Sequence, residues 1–84
     1  MNQKPIAKVV HVYGKINVAI LECLAPLKVG QRVRFKGHST DFEQVIDSMQ
    51  YEHAPISEAK KGQQVGVKVT EKVREGDEVY LVEE

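Results

Sequence analysis

The chain has 84 residues, 42% of them apolar and 29% charged, with 12 basic and 12 acidic side chains in balance. That length holds one domain with one modest core, and the apolar fraction excludes a disordered chain. The zero net charge excludes a bulk field that would draw the protein to nucleic acid or an anionic membrane, so any such contact needs a local patch.

The first residues, Met1-Asn2-Gln3-Lys4-Pro5, carry no apolar signal core. No apolar run approaches the roughly 20 residues of a membrane helix. The lone cysteine, Cys23, rules out an internal disulfide. A soluble, cytoplasmic protein with no membrane partner is expected.

Ile6 to Tyr13 reads IAKVVHVY and Ile16 to Leu21 reads INVAIL. Both are rich in β-branched residues, and Gly14-Lys15 between them is a turn signal, so a hairpin is expected. After a loop at 25–30, Gln31 to Lys36 alternates, with Val33 and Phe35 on one face and Arg32, Arg34 and Lys36 on the other. Gly37 to Asp41 is a polar turn. The run Phe42 to His53 changes phase, which predicts a β-bulge within one long strand. Ser57 is placed to cap one short helical turn. Gln63 to Thr70 alternates with Val65, Val67 and Val69 inward, and Glu78 to Val82 forms the last strand. Gly30-Gln31-Arg32-Val33, Gly62-Gln63-Gln64-Val65 and Gly76-Asp77-Glu78-Val79 share one pattern. Each reads as a turn in which glycine takes positive φ before a strand. About six strands with turns at short intervals predict an all-β fold, a small antiparallel closed barrel over 6–82 with tails at 1–5 and 83–84.

Catalytic chemistry finds no support. No phosphate-cradling glycine loop is present, so the chain by itself is not expected to bind a nucleotide, and no cofactor is implied. His11, His38 and His53 with Cys23 match no metal-ligand spacing. Cys23 as a thiol nucleophile lacks a base and an orienting group, and a small buried hydrophobe is its simpler role. Asp41, Glu43 and Asp47 are explained by pairing with the basic strand beside them. No catalytic or metal residue is assigned. The feature that remains is the basic face of Arg32, Arg34 and Lys36, extended by Lys68. Such a stripe can track a phosphate backbone; from charge alone, a solvated face neutralised by Glu43, Asp47 and Glu52 is the favoured reading.

Leu27-Lys28-Val29-Gly30 before a strand, Phe35-Lys36-Gly37 ending it, Glu58-Ala59-Lys60-Lys61-Gly62-Gln63-Gln64-Val65-Gly66-Val67 and Val73-Arg74-Glu75-Gly76-Asp77-Glu78-Val79 occur in that order. In this order they resemble domain 2 of translation GTPases of the elongation factor Tu type, and more closely small stand-alone elongation-factor-like proteins. Those also carry runs similar to Lys36-Gly37-His38-Ser39-Thr40-Asp41-Phe42 and Ser48-Met49-Gln50-Tyr51-Glu52-His53. The same kind of domain occurs at the end of some collagenase-like peptidases, a family that includes proteins of tRNA hydroxylation. The resemblance spans Ile6 to Val82 and implies the same closed six-stranded antiparallel barrel.

In full-length factors such a barrel packs on the GTPase domain and helps hold the aminoacyl end of tRNA or the ribosome. Resemblance and basic face together lead us to expect a non-enzymatic binding module for RNA, tRNA, or a translation or tRNA-modification protein. Arg32, Arg34, Lys36 and Lys68 would form its basic face. The loop His38-Ser39-Thr40 lies where related factors approach tRNA, although it is not their contact motif. The alternative is a protein-interaction domain or a detached accessory subunit of a larger enzyme such as a collagenase-like peptidase. An exposed apolar patch would favour that alternative.

Overall fold

The computed structural model describes residues 4–82; of the expected tails, 1–3 and 83–84 lie outside that range. Its strands are β1 (Ala7–Tyr13), β2 (Val18–Cys23), β3 (Leu27–Lys28), β4 (Arg32–Lys36), β5 (Asp41–Val45), β6 (Met49–Tyr51), β7 (Ala54–Ile56), β8 (Glu58–Ala59), β9 (Gln64–Lys68) and β10 (Glu78–Leu81). Eight of them form one sheet in the order β5-β4-β10-β1-β2-β9-β6-β7, and β3 pairs with β8 in a separate ribbon. Every pairing is antiparallel.

The all-β class holds, but the closed six-stranded barrel is corrected to a sheet curled into a half-barrel. The difference arises in the run from Phe42 to His53, which is two strands and not one bulged strand. β5 pairs with β4, β6 pairs with β9, and Ile46 to Ser48 carry the chain between them. Buried Ile46 anchors that crossing. Its N–H donates to the Gln31 carbonyl (2.9 Å) and its carbonyl accepts from Gly30 N–H (2.8 Å). The expected helical turn at Ser57 is also absent. Ala59 is fully buried and pairs with Leu27, so burial draws this segment into a strand.

Where β5 comes round towards the end of β9, the backbones do not form a ladder. The side chain of Gln44 closes the gap instead. Its Nε2 donates to the Lys68 carbonyl (2.9 Å), and its Oε1 accepts from the Thr70 N–H (2.9 Å) and hydroxyl (3.3 Å). A carboxamide has the same donor and acceptor as a peptide group, so one side chain stands in for a missing strand pair.

Alternation fills the inside. Val33, Phe35, Val65, Val67 and Val69 are all buried, as expected, together with Ala7, Val9, Ala19, Leu21 and Val79. Cys23 belongs to the same core. One irregularity shapes the outer surface. The β1–β2 register shifts between Val9 and His11, so Val10 is an extra residue. Before this bulge Ala7 and Val9 point inward; after it Val12 packs on the core while His11 and Tyr13 are exposed. The bulge thus re-aims Tyr13 to the outside.

The three repeated glycine patterns form one device. Gly30, Gly62 and Gly76 have φ of 97°, 92° and 93°. In each case the next residue donates its N–H to the carbonyl three positions earlier: Gln31 to Lys28, Gln63 to Lys60, and Asp77 to Arg74. The same residue's side chain accepts from that earlier residue's N–H, at 2.8, 2.7 and 2.8 Å. The first polar residue of the pattern is therefore a lock that holds the turn from both ends.

Candidate functional site

The basic strand is exposed and largely neutralised. Arg32 Nε donates to Glu43 (3.1 Å). Arg34 is bidentate on Asp41, with Nε at 2.7 Å and Nη2 at 3.0 Å. The pairs run diagonally, because the register sets Arg34 opposite Glu43 and Lys36 opposite Asp41. Hydrogen bonding to Arg34 holds the Asp41 carboxyl below the ordinary carboxylate range, and the same bond pushes the Arg34 guanidinium up. Of the acids expected to neutralise this face, Asp41 and Glu43 do so, while Asp47 and Glu52 are not ion-paired among the described residues. Lys36 and Lys68 have no ion-pair partner among the described residues either. Lys68 lies on β9, separated from β4 by β10, β1 and β2 in the sheet. Three of the four cations lie on β4 and the fourth on β9, whose end is joined to β5 through the Gln44 side chain.

The loop does not present its three residues alike. His38 and Ser39 are exposed, but Thr40 is only 4% exposed, and its carbonyl accepts from Gly37 N–H (2.8 Å). Thr40 thus has a structural role in the turn, and only His38 and Ser39 of the three are presented to solvent. Gly37 itself is packed against Asp77, whose Oδ1 fills the place where a Cβ would stand.

Cys23 is 1% exposed, and burial pushes its thiol pKa up, which opposes formation of a nucleophilic thiolate. His11 lies 3.7 Å from Glu75 and edge-on to the Tyr13 ring at 4.5 Å. Among the described residues no three His, Cys, Asp or Glu side chains gather as a metal site, and no helix is long and apolar enough to cross a membrane.

A second surface emerges only in three dimensions. The ladder register aligns His11, Ile20, Gly66, Gln50 and Pro55 in one row across β1, β2, β9, β6 and β7. Gly66 leaves that row without a side chain between Ile20 and Gln50. The gap is the floor of a groove of about 460 Å³. Tyr13, Ile16 and Val18 wall one end, and Gln64, Glu52 and His53 wall the other. Tyr13 is 49% and Ile16 61% exposed, so two large apolar groups stand in water side by side. Isolated exposed apolar residues are ordinary; here two of them line one groove together.

Both walls are built on turns with unusual backbone. Asn17, Glu52 and His53, with φ of 54°, 51° and 65°, are the non-glycine residues of positive φ among those described. Glu52-His53 closes the β6–β7 hairpin in two residues, a position that favours Asn-Gly. Held strain of this kind clusters at functional surfaces. Sequence reading missed the groove. Its only early signals were Val9-Val10, a doubled β-branched pair that admits a bulge, and the glycine inside Val65-Gly66-Val67.

No family model matches the chain. An uncharacterized protease of Methanocaldococcus jannaschii is 45% identical over 80 residues, which make up 94% of this chain and 20% of that protein. The chain thus spans about a fifth of the length of the curated relative it matches. Among solved structures it resembles the C-terminal domain of a Geobacillus thermoleovorans protein assigned to the U32 peptidases. One crystal structure of that domain gives a TM-score of 0.89 at 19% identity, covering 96% of this chain and 93% of that one. Its selenomethionine variant gives 0.87 at 20% identity, covering 93% and 99%. The likeness establishes the fold. These findings overturn the resemblance to elongation factors, because the relatives found are peptidase proteins, and they leave the RNA-binding reading built on it without support. Short glycine-turn motifs order a curled β-domain in either setting, which is why they misled.

Proposed function

We propose that this chain is a non-catalytic accessory domain of a larger peptidase-family protein and that it acts by docking on the body of that protein. The observation that carries the reading is the 45% identity running through 94% of the chain against one fifth of a protease. Likeness in fold to a C-terminal domain of a U32 peptidase supports it, and so does the buried, pKa-raised Cys23, which is a poor nucleophile.

The test exchanges the matched stretch of the full-length Methanocaldococcus protease for this chain. The expected result is one cooperative thermal transition, with the domain's unfolding coupled to that of the body. A separate transition at the melting temperature of the free chain would overturn the proposal. The free chain is expected to show no peptidase activity; turnover by the free chain that is lost in a Cys23→Ala variant shown to remain folded would overturn the non-catalytic part.

A further inference from the structure

Resting on that accessory-domain reading, we infer that the Gly66 groove is the surface that meets the peptidase body. Its occupant is a segment of that body with an aliphatic or aromatic side chain over Gly66 and a Lys or Arg beside Glu52.

Chemistry along the groove selects this occupant. The end walled by Tyr13, Ile16 and Val18 offers only aliphatic and aromatic surface around a floor with no side chain, so an apolar side chain fits there and expels water. Around it the groove is lined by the amides of Gln50 and Gln64 and by the carboxylate of Glu52. Glu52 has no ion-pair partner among the described residues. A cation on the incoming segment complements it, and the two carboxamides can serve backbone donors or acceptors. The β4–β5 face differs, because its arginines are already satisfied by Asp41 and Glu43. An acidic segment is repelled by Glu52, and a wholly polar one leaves the apolar end uncovered.

The groove can be filled without disturbing the fold. A Cβ at Gly66 meets Val18 at 3.5 Å, Ile20 at 3.6 Å and the Gln50 carbonyl at 4.0 Å, all ordinary contacts. The Cβ of Gly66→Val therefore fits, and its two methyl groups, favourable in a strand, are directed into the open groove to close the floor. Ile16→Asp alters an exposed turn residue and is a second probe that leaves the core untouched. Glu52→Lys reverses the charge at the polar end, and Lys36→Glu on the other face is the control.

The experiment is hydrogen exchange on the full-length Methanocaldococcus protease carrying this chain in place of its matched stretch, compared with the free chain. Amides of the turns at 14–17 and 52–53 are expected to exchange about tenfold or more slowly in the full-length protein. Gly66→Val, Ile16→Asp and Glu52→Lys are each expected to remove that protection, while Lys36→Glu keeps it. The melting temperature of each free variant confirms folding. Protection that falls instead on β4 and β5, or survives all three groove variants, overturns the groove and leaves the accessory reading standing. No protection anywhere, with independent melting, overturns both.

Discussion

Gly37 and Asp77 show how much one missing side chain can settle. Asp77 is buried and locked by Arg74 N–H at 2.8 Å, so its carboxylate cannot swing away from the Gly37 Cα without breaking the turn before β10. A methyl group at position 37 would overlap Oδ1. Gly37→Ala is expected to lose about 1–3 kcal/mol of stability, read as a lower urea midpoint at unchanged slope. Arg34 and Asp41 are a different case, an exposed pair whose effect follows pH. Asp41 has a folded pKa below its unfolded value, so it stabilises the fold above the unfolded carboxylate range. That stabilisation disappears as pH falls through the depressed folded value. Asp41→Asn is expected to melt below the parent at neutral pH and to converge with it in acid. The gap should narrow in high salt, because both side chains are about half exposed.

At the level of single elements, two kinds of turn contrast. The Gly30, Gly62 and Gly76 turns carry the residue their backbone wants and add a side-chain lock. The Glu52-His53 turn does the opposite, holding two bulky residues at positive φ. Replacing Glu52-His53 by Asn-Gly is expected to raise stability by about 1–2 kcal/mol, seen as a higher melting temperature of the free chain. The same change removes Glu52 from the groove and is expected to weaken docking. A rise in stability together with loss of protection at the turn at 14–17 would show a turn kept strained for its surface; no rise in stability would show the strain to be relieved by local contacts. The β1 bulge acts in the same direction, because without it Tyr13 would share the inward parity of Ala7 and Val9.

Over the whole molecule, the half-barrel is held at its seam by a side chain and not by a ladder. Gln44 is 7% exposed and serves three groups at Lys68 and Thr70. Gln44→Leu keeps the bulk but leaves the Lys68 carbonyl and Thr70 N–H without their partner. The expected loss is about 1–3 kcal/mol, with faster hydrogen exchange at Thr70 than in β1 and β2 at the centre of the sheet. Equal acceleration throughout the sheet, or no change at Thr70, would mean that the seam is closed by other contacts. A sheet curled in this way has two chemically distinct outer faces, one laced with ion pairs across β4–β5 and one carrying the apolar groove across β2–β9.

Alternation and turn chemistry are local properties, so the all-β class, the inward valines at 33, 65, 67 and 69, the outward Arg32, Arg34 and Lys36, and the three glycine turns were legible in the chain itself. Their period of two depends only on neighbours along the backbone. Which strand follows which around the sheet is a long-range matter. The split of the run from Phe42 to His53 and the Gln44 seam could not be read from spacing, nor could the alignment of Gly66 between Ile20 and Gln50. Each depends on the register between segments far apart in sequence, and a shift of one residue would turn every side chain to the other face. The groove exists because that register places an absent side chain beside exposed apolar ones, and only the folded sheet brings them together.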